Sequence, residues 1–195
     1  MMGKWNLLQK LGLLLVILSC VLLLGSELFA MHNSTSAQNL AEKLKAVLPE
    51  RTEGNPENYS ETVMPILQLK KQDFSGLLEI PDYGVSLPVG SSWNRTMVFR
   101  YPCRFWGSAY DQSLIIGGSG RKGQLDVCGK LDLGDRILLT DVAGARFSYE
   151  VNRIDRRKHA DMDTFGEYDS DLVLFAEDSA SSGYIIVRCQ FSPRA

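Results

Sequence analysis

The sequence has few of the residues that build metal centres and disulfide frameworks. It contains 2 histidines and 4 cysteines, and one of the cysteines lies inside an N-terminal apolar run. The other three, Cys103, Cys128 and Cys189, are an odd number, which argues against a disulfide framework. A single Cys103–Cys128 bridge and buried free thiols both stay open. No cysteine pair has the spacing of metal ligands, and His32 and His159 are not placed to help. We therefore expect no metal site and no cofactor.

The chain also lacks an excess of charge of either sign. Its 21 lysines and arginines against 23 aspartates and glutamates give a formal net charge of -2. This is too close to neutral for a typical nucleic-acid-binding protein, so we expect no nucleic-acid partner. The length of 195 residues allows one domain of ordinary size plus an appendage.

Long apolar sequence is confined to the N-terminus. Lys4 and Lys10 precede an apolar run from Leu11 to Leu24, and residues 5–24 meet the ~20 residues that a spanning helix needs. Lysines without neighbouring acids orient the N-terminus towards the cytoplasm. A cleaved signal peptide is the alternative, but no good small-residue cleavage site follows the run. We expect an uncleaved transmembrane signal-anchor over residues 1–31, with the rest of the chain outside the cell.

A helix and a linker are predicted between this anchor and the main domain. Thr35 and Gln38 can form a capping box, and Leu40 and Leu44 share one helical face. The pattern predicts a helix that begins at Thr35 and ends at Pro49. The polar stretch that follows is typical of a linker. Residues 32–72 are therefore interpreted as an extracytoplasmic helix and linker.

From Phe74 onward the sequence consists of short apolar segments separated by turns. A run over residues 113–118 is bounded by small residues and is typical of a buried strand. The segment 141–144 predicts a hairpin loop with its glycine at the turn. Many short strands with little helix predict an all-β barrel over residues 73–195. The other predicted strands cover residues 76–81, 85–89, 97–101, 136–140, 146–154, 172–176 and 184–191.

The order of these segments resembles the sortases, membrane-anchored cysteine transpeptidases of Gram-positive bacteria. The resemblance covers roughly residues 74–191 and includes an Ile-Pro at residues 80–81, a Leu-Pro-Val at 87–89 and the strand at 113–119. It continues with a Leu-Asp-Leu-Gly-Asp at 131–135 and apolar strands at 172–177 and 184–187. It implies an eight-stranded β-barrel with short helices, behind an N-terminal transmembrane helix.

The same resemblance implies that the catalytic residues are replaced. Sortases use a cysteine nucleophile, a histidine acid–base and an arginine, and these three positions hold Glu177, Ser119 and Tyr184. A thiolate forms the acyl intermediate and a fixed cation stabilises negative charge, and neither is supplied here. With Asp178 beside Glu177, the former groove is predicted to be acidic, which suits a basic or amine-bearing ligand. The predicted binding groove contains these four residues and no catalytic group.

Three alternatives stay open. Cys189 ends an apolar strand and is the alternative nucleophile of an active cysteine transpeptidase that anchors surface proteins to the cell wall; this requires a thiolate of lowered pKa in a cleft. Ser119 fits a serine nucleophile less well, because it lacks the expected elbow motif and a histidine partner. The basic segment 153–158 is compatible with binding to anionic wall polymers.

The sequence therefore predicts an inactive sortase-like protein at the cell membrane, with a single pass and an extracytoplasmic C-terminal domain. We expect a binding or scaffolding role in cell-surface protein attachment or pilus assembly. The partners implied by the resemblance are a sorting signal of a surface protein, a pilin-type subunit or an active sortase.

Overall fold

The computed structural model describes residues 7–178 and 180–193, and their side chains except those of residues 7–10 and 23–36. Within these described residues, ten strands and two α-helices follow one another, with four short 3-10 helices between them. The helices are α1 (Leu7–Val47) and α2 (Met162–Gly166). The strands are β1 (Thr52–Glu53), β2 (Leu67–Leu69), β3 (Gln72–Ile80), β4 (Val85–Gly90), β5 (Cys103–Trp106), β6 (Leu114–Gly118), β7 (Arg136–Asp141), β8 (Ala145–Arg157), β9 (Leu172–Glu177) and β10 (Tyr184–Phe191).

Eight of these strands close into a barrel. Neighbouring strands pair in the order β3-β4-β5-β6-β9-β10-β8-β7, and β7 pairs again with β3. The contact between β4 and β5 is the narrowest, because a single residue pair, Gly90 and Cys103, joins them. The two remaining strands are additions, β1 beside β8 and β2 beside β3. The predicted eight-stranded all-β barrel with short helices is confirmed.

The barrel interior is filled by alternate residues of each strand, as the period of two requires. On β9, Leu172, Leu174 and Ala176 point into the main core, while Val173 and Phe175 belong to a second apolar cluster on the outer face. This alternation places the side chain of the last β9 residue outside the barrel.

The N-terminal helix is longer than predicted. The prediction of a separate helix start at Thr35 is wrong, because α1 is continuous from Leu7 to Val47. No glycine or proline interrupts residues 26–48, so polar residues at 33–36 do not end the helix. Lys4, on which the predicted orientation depends, lies outside the described residues. Within the part of the chain that the structure describes, no helix has both the length and the apolar character that crossing a membrane requires.

The C-terminal part of α1 packs on the barrel. Ala41 and Leu44 are buried against Phe74 and Leu77 of β3. A charged contact reinforces this packing, since Glu79 of β3 accepts hydrogen bonds from Lys45, Arg51 and Arg146 at 2.9–3.3 Å. The helix and the segment after it are therefore fixed to the domain.

The segment after α1, interpreted above as a linker, is docked along the barrel. It contributes β1, which runs parallel to β8, and Tyr59 stacks on Tyr110 with ring centroids 3.8 Å apart. The Tyr110 hydroxyl in turn donates a 2.6 Å hydrogen bond to the buried Asp141 carboxylate. The predicted strand at residues 97–101 is also wrong, because Met97–Phe99 form a 3-10 helix. The Asn94 side chain accepts hydrogen bonds from the N–H groups of Thr96 and Met97 just before and at its start. The predicted hairpin at 141–144 is present, with Gly144 at a φ of 92°.

Candidate functional site

Three strand ends bring the predicted site residues together. Strands β6 and β9 are parallel, with Gly118 opposite Ala176, so Ser119 and Glu177 follow at the same end of the barrel. Strand β10 runs antiparallel to β9 and begins with Tyr184 directly opposite Glu177. The three positions where sequence similarity implied lost catalytic residues are therefore neighbours in space.

A cavity of about 410 Å³ lies at these strand ends. Ser119, Glu177 and Tyr184, three of the four groove residues predicted from sequence, all line it. Among the described residues, no cysteine or histidine lines it. The other lining residues are Trp93, Arg95, Val98, Phe99, Phe105, Gly118, Ala160 and Phe175.

Small residues of β6 make room for the aromatic wall. A Cβ at Gly117 would overlap the rings of Phe175 and Trp93. A Cβ at Gly120 would overlap the main-chain oxygen of Glu177. The glycine-rich end of β6 is therefore required by close packing rather than by an unusual backbone angle, and it sets the distance between β6 and β9.

The loop between β8 and β9 closes one side of the cavity. Phe165 of α2 packs on Phe175 with ring centroids 4.9 Å apart, and Phe105 packs on both rings. The fully buried Arg188 holds this loop, because its guanidinium donates hydrogen bonds to the main-chain oxygens of Phe165 at 2.8 Å and Thr164 at 2.6 Å. The wall is thus built from strands and from a loop fixed by side-chain hydrogen bonds.

Ser119 has a structural contact of its own. Its side chain is 2 % exposed, and its Oγ accepts a 3.3 Å hydrogen bond from the Arg121 N–H. Its main-chain oxygen accepts another from the Leu125 N–H at 3.2 Å. These bonds form a tight turn, so the hydroxyl serves the turn and has no histidine beside it among the described lining residues.

Glu177 and Asp178 behave differently although they are adjacent. Glu177 is exposed and lines the cavity, whereas Asp178 is buried and is absent from the lining. The Asp178 carboxylate accepts hydrogen bonds from the Ala180 N–H at 2.9 Å and the Ser181 hydroxyl at 2.8 Å. These bonds, with a contact to Arg156, lower the pKa of Asp178. The prediction that Asp178 contributes to the groove is not supported, because this side chain caps the turn between β9 and β10.

The cysteines lie away from the cavity. Cys103, Cys128 and Cys189 are free and buried, so the bridge left open above is absent. Burial raises the pKa of the Cys189 thiol well above its ordinary value, the opposite of what a nucleophilic thiolate needs. Cys189 points into the main core together with Cys128, while His159 is exposed in the loop after β8.

The basic segment at the end of β8 is largely neutralised. Arg153 contacts Asp155 at 2.8 Å, Arg156 contacts Asp178 at 3.4 Å and Arg157 pairs with Glu167. A surface with these ion pairs offers little free positive charge to an anionic polymer. Among the described residues, no group of three or more His, Cys, Asp or Glu side chains is placed to hold a metal ion.

Apart from Tyr184, the aromatic residues that line the cavity are absent from the site predicted from sequence. Trp93 lies among small polar residues in a loop, and an isolated large aromatic side chain in such a context was the available signal. Phe99 and Phe105 carry no such signal, because they come from a 3-10 helix and from a strand that sequence patterns did not identify.

Comparison with solved structures agrees with this architecture. The chain is similar to sortase C1 of GBS Pilus Island 1 with a TM-score of 0.56 at 15 % identity, over 85 % of this chain and 84 % of that one. It is similar to sortase C1 from Streptococcus agalactiae with a TM-score of 0.55 at 19 % identity, over 66 % and 72 %. For Listeria monocytogenes sortase A the values are 0.52 and 15 %, over 61 % and 87 %. No family model matches the sequence, and no curated protein matches it.

These similarities define the fold class. The protein is a sortase-fold barrel, as its sequence resemblance implied. At identities of this size the comparison establishes the fold and leaves the activity to the residues at the strand ends.

Proposed function

We propose that this chain is a membrane-anchored, extracytoplasmic sortase-fold protein that has no transpeptidase activity. It acts as a binding or scaffolding module in cell-surface protein attachment or pilus assembly. The observation that carries the proposal is the cavity at the ends of β6, β9 and β10, where Ser119, Glu177 and Tyr184 stand together. A cavity that can hold a ligand is present, and the cysteine, histidine and arginine needed for acyl transfer are missing from its three strand-end positions.

The chemistry of these three side chains supports a binding role. The Glu177 carboxylate is a poor acyl acceptor for this reaction. The Ser119 hydroxyl, which accepts a hydrogen bond from the Arg121 N–H, cannot transfer protons near neutral pH as a histidine does. Tyr184 can donate a hydrogen bond but carries no positive charge. A ligand bound here would be held and not cleaved.

Membrane attachment is part of the proposal and rests on the sequence. Residues 11–22 are apolar almost throughout and their side chains are exposed, with Leu14 at 62 % and Leu22 at 66 % exposure. Exposed leucines in such a run are unfavourable in water and favourable in lipid. The partners proposed are those that the sequence resemblance implies: a sorting signal, a pilin-type subunit or an active sortase.

The competing function is an active cysteine transpeptidase that uses Cys189. Full burial of this thiol and its raised pKa count against it. A direct test offers Leu-Pro-x-Thr-Gly-like peptides and an amine nucleophile to the full chain in a non-ionic detergent. Mass spectrometry then measures cleavage and any covalent acyl adduct, with Cys189→Ala as the matched variant.

We expect no adduct and no turnover from either protein. Turnover that disappears in Cys189→Ala would contradict the proposal and identify Cys189 as the nucleophile. A positive control comes from the triple variant Ser119→His, Glu177→Cys, Tyr184→Arg. If the groove has kept its shape, this variant forms an acyl adduct with a peptide that the natural chain only binds.

A further inference from the structure

The cavity at the strand ends is walled mainly by aromatic rings. Trp93, Phe105 and Phe175 pack on one another, with ring centroids 5.2–5.5 Å apart. Tyr184 continues the wall with its centroid 6.5 Å from that of Phe175. Trp93 is 37 % exposed, so part of this wall faces the open cavity.

One carboxylate stands at the edge of these rings. Glu177 is exposed and lines the same cavity. It forms no ion pair with any other residue that the structure describes. Aromatic faces carry negative electrostatic potential and attract cations. A carboxylate next to such faces strengthens that attraction, because part of the site is shielded from water.

Two arginines at the edge of the cavity must be considered. Arg121 lies over the Phe99 ring, 4.9 Å from its centroid, so this ring already interacts with a cation. Arg95 lines the cavity and is exposed in the loop after β4, and a long side chain of this kind keeps its charged head in water. The rings that remain at least partly exposed to a ligand are those of Trp93, Phe105 and Tyr184, which pack against the buried Phe175 ring.

The type of cation follows from the hydrogen-bond acceptors. A primary ammonium brings three N–H donors that need partners when water is removed. Among the described lining side chains the acceptors are the Glu177 carboxylate, the Tyr184 hydroxyl and Ser119 Oγ, and the last already accepts from Arg121. A fully alkylated ammonium has no N–H group, so apolar rings satisfy it without this loss.

We propose that this cavity binds a quaternary ammonium group such as that of choline. The inference rests on the proposed non-catalytic role of the groove and names the ligand chemistry. Trp93 and the neighbouring rings surround the methyl groups, and Glu177 compensates the charge.

Calorimetric titration of the full chain in a non-ionic detergent tests the proposal with choline chloride as the probe. The first comparison uses the neutral analogue in which carbon replaces the nitrogen of choline. It has the same shape but no charge, and we expect it to bind at least about tenfold more weakly than choline. Equal binding of both compounds, or no binding of choline, would overturn the inference.

Matched variants test the residues. We expect Glu177→Gln and Trp93→Leu each to weaken choline binding about five- to thirtyfold. The controls are Glu150→Gln, an exposed glutamate that does not line the cavity, and Trp106→Leu, a tryptophan 61 % exposed outside it. Unchanged affinity in the first pair, with thermal unfolding showing folded protein, would contradict the proposed site.

Two further measurements distinguish failure of the ligand proposal from failure of the proposed non-catalytic role. Tighter binding of Nα-acetyl-lysine amide than of choline would overturn the quaternary ammonium class in favour of a primary amine. The same protein sample is assayed for a peptide adduct. An adduct refutes the non-catalytic role, whereas absence of both adduct and choline binding refutes only the inference about the ligand.

Discussion

The guanidinium of Arg188 donates a 2.8 Å hydrogen bond to the main-chain oxygen of Phe165. Arg188 comes from the outer face of β10, and Phe165 comes from the loop that closes the cavity. The bond therefore connects the barrel to a wall of the candidate site. The same guanidinium contacts Asp155 at 3.2 Å, so its charge is compensated although the side chain is fully buried.

Replacement of this arginine should loosen the loop. We expect Arg188→Met to lower the free energy of unfolding by ~3–5 kcal/mol, since the main-chain oxygens of Phe165 and Thr164 lose their donor and the Asp155 carboxylate keeps only Arg153. Limited proteolysis should then cut residues 159–171 faster than in the natural chain. The matched change Arg153→Met, at a side chain 43 % exposed, should cost no more than ~1 kcal/mol. Equal stability of the two variants would contradict this role for Arg188.

The close approach of Gly120 to Glu177 gives a second prediction. A Cβ at residue 120 would overlap the Glu177 carbonyl, and a backbone atom cannot rotate away as a side chain can. Gly120→Ala should therefore lower the free energy of unfolding by ~1–3 kcal/mol, measured by chemical denaturation. Gly166→Ala is the control, because a Cβ there meets nothing within 4 Å. A Gly120→Ala protein as stable as the control would show that β6 and β9 can separate at this point without cost.

The pairing of Glu79 with three cations predicts a loss of stability in acid. Burial, the largest influence, raises the pKa of Glu79, but hydrogen bonds from Arg146 and Lys45 and the charge of Arg51 together bring it below its ordinary value of 4.5. A carboxyl whose folded-state pKa is depressed stabilises the fold above the unfolded pKa. This stabilisation is lost as the pH falls through the folded-state pKa.

The measurement is the free energy of unfolding from pH 7 down into the acid range, through and below the unfolded-state pKa of about 4.3. Glu79→Gln should be less stable than the natural chain at neutral pH and should lose less stability on acidification. Glu150→Gln, at an exposed position, should keep the natural pH dependence. A Glu79→Gln curve parallel to the natural one at all pH values would contradict the prediction.

Thiol labelling gives a fourth prediction. Burial raises the pKa of Cys103 to about 11 and that of Cys128 to about 12. In a Cys20→Ser background, we expect the three barrel thiols to react with a charged alkylating reagent only after unfolding. Adding Glu177→Cys should introduce a thiol that reacts at least about a hundredfold faster, because this position is exposed to the reagent. Rapid native-state labelling of Cys189 would contradict its burial.

Sequence patterns located most of the barrel but missed its weakest parts. Strand β10 was predicted with the observed bounds and β6 to within one residue, because both consist of apolar runs between turn residues. Strands β1, β2 and β5 were missed, since they are two to four residues long and depend on pairing with distant strands. The false start at Thr35 came from a capping pattern that is outweighed when helix continues on both sides.

The candidate site was likewise predicted in part from the sequence. The linear order of Ser119, Glu177 and Tyr184 was sufficient to place them at strand ends once the family resemblance was recognised. Asp178 was assigned to the groove because it neighbours Glu177, but adjacent residues of an extended chain point to opposite sides, and its carboxylate caps the turn instead.

Local sequence determined the chemistry that is possible at this site, because the three strand ends hold no cysteine, histidine or arginine. It also determined the all-β barrel, because the strands carry the alternation of apolar and polar residues that a closed core requires. Tertiary structure alone decided which aromatic rings face the cavity, because Trp93, Phe105 and Phe175 are distant in sequence and meet only when the barrel closes. It also decided the state of the thiols, since the pKa of Cys189 depends on burial among residues of several strands. Burial and convergence are properties of packing, and a linear pattern does not contain them.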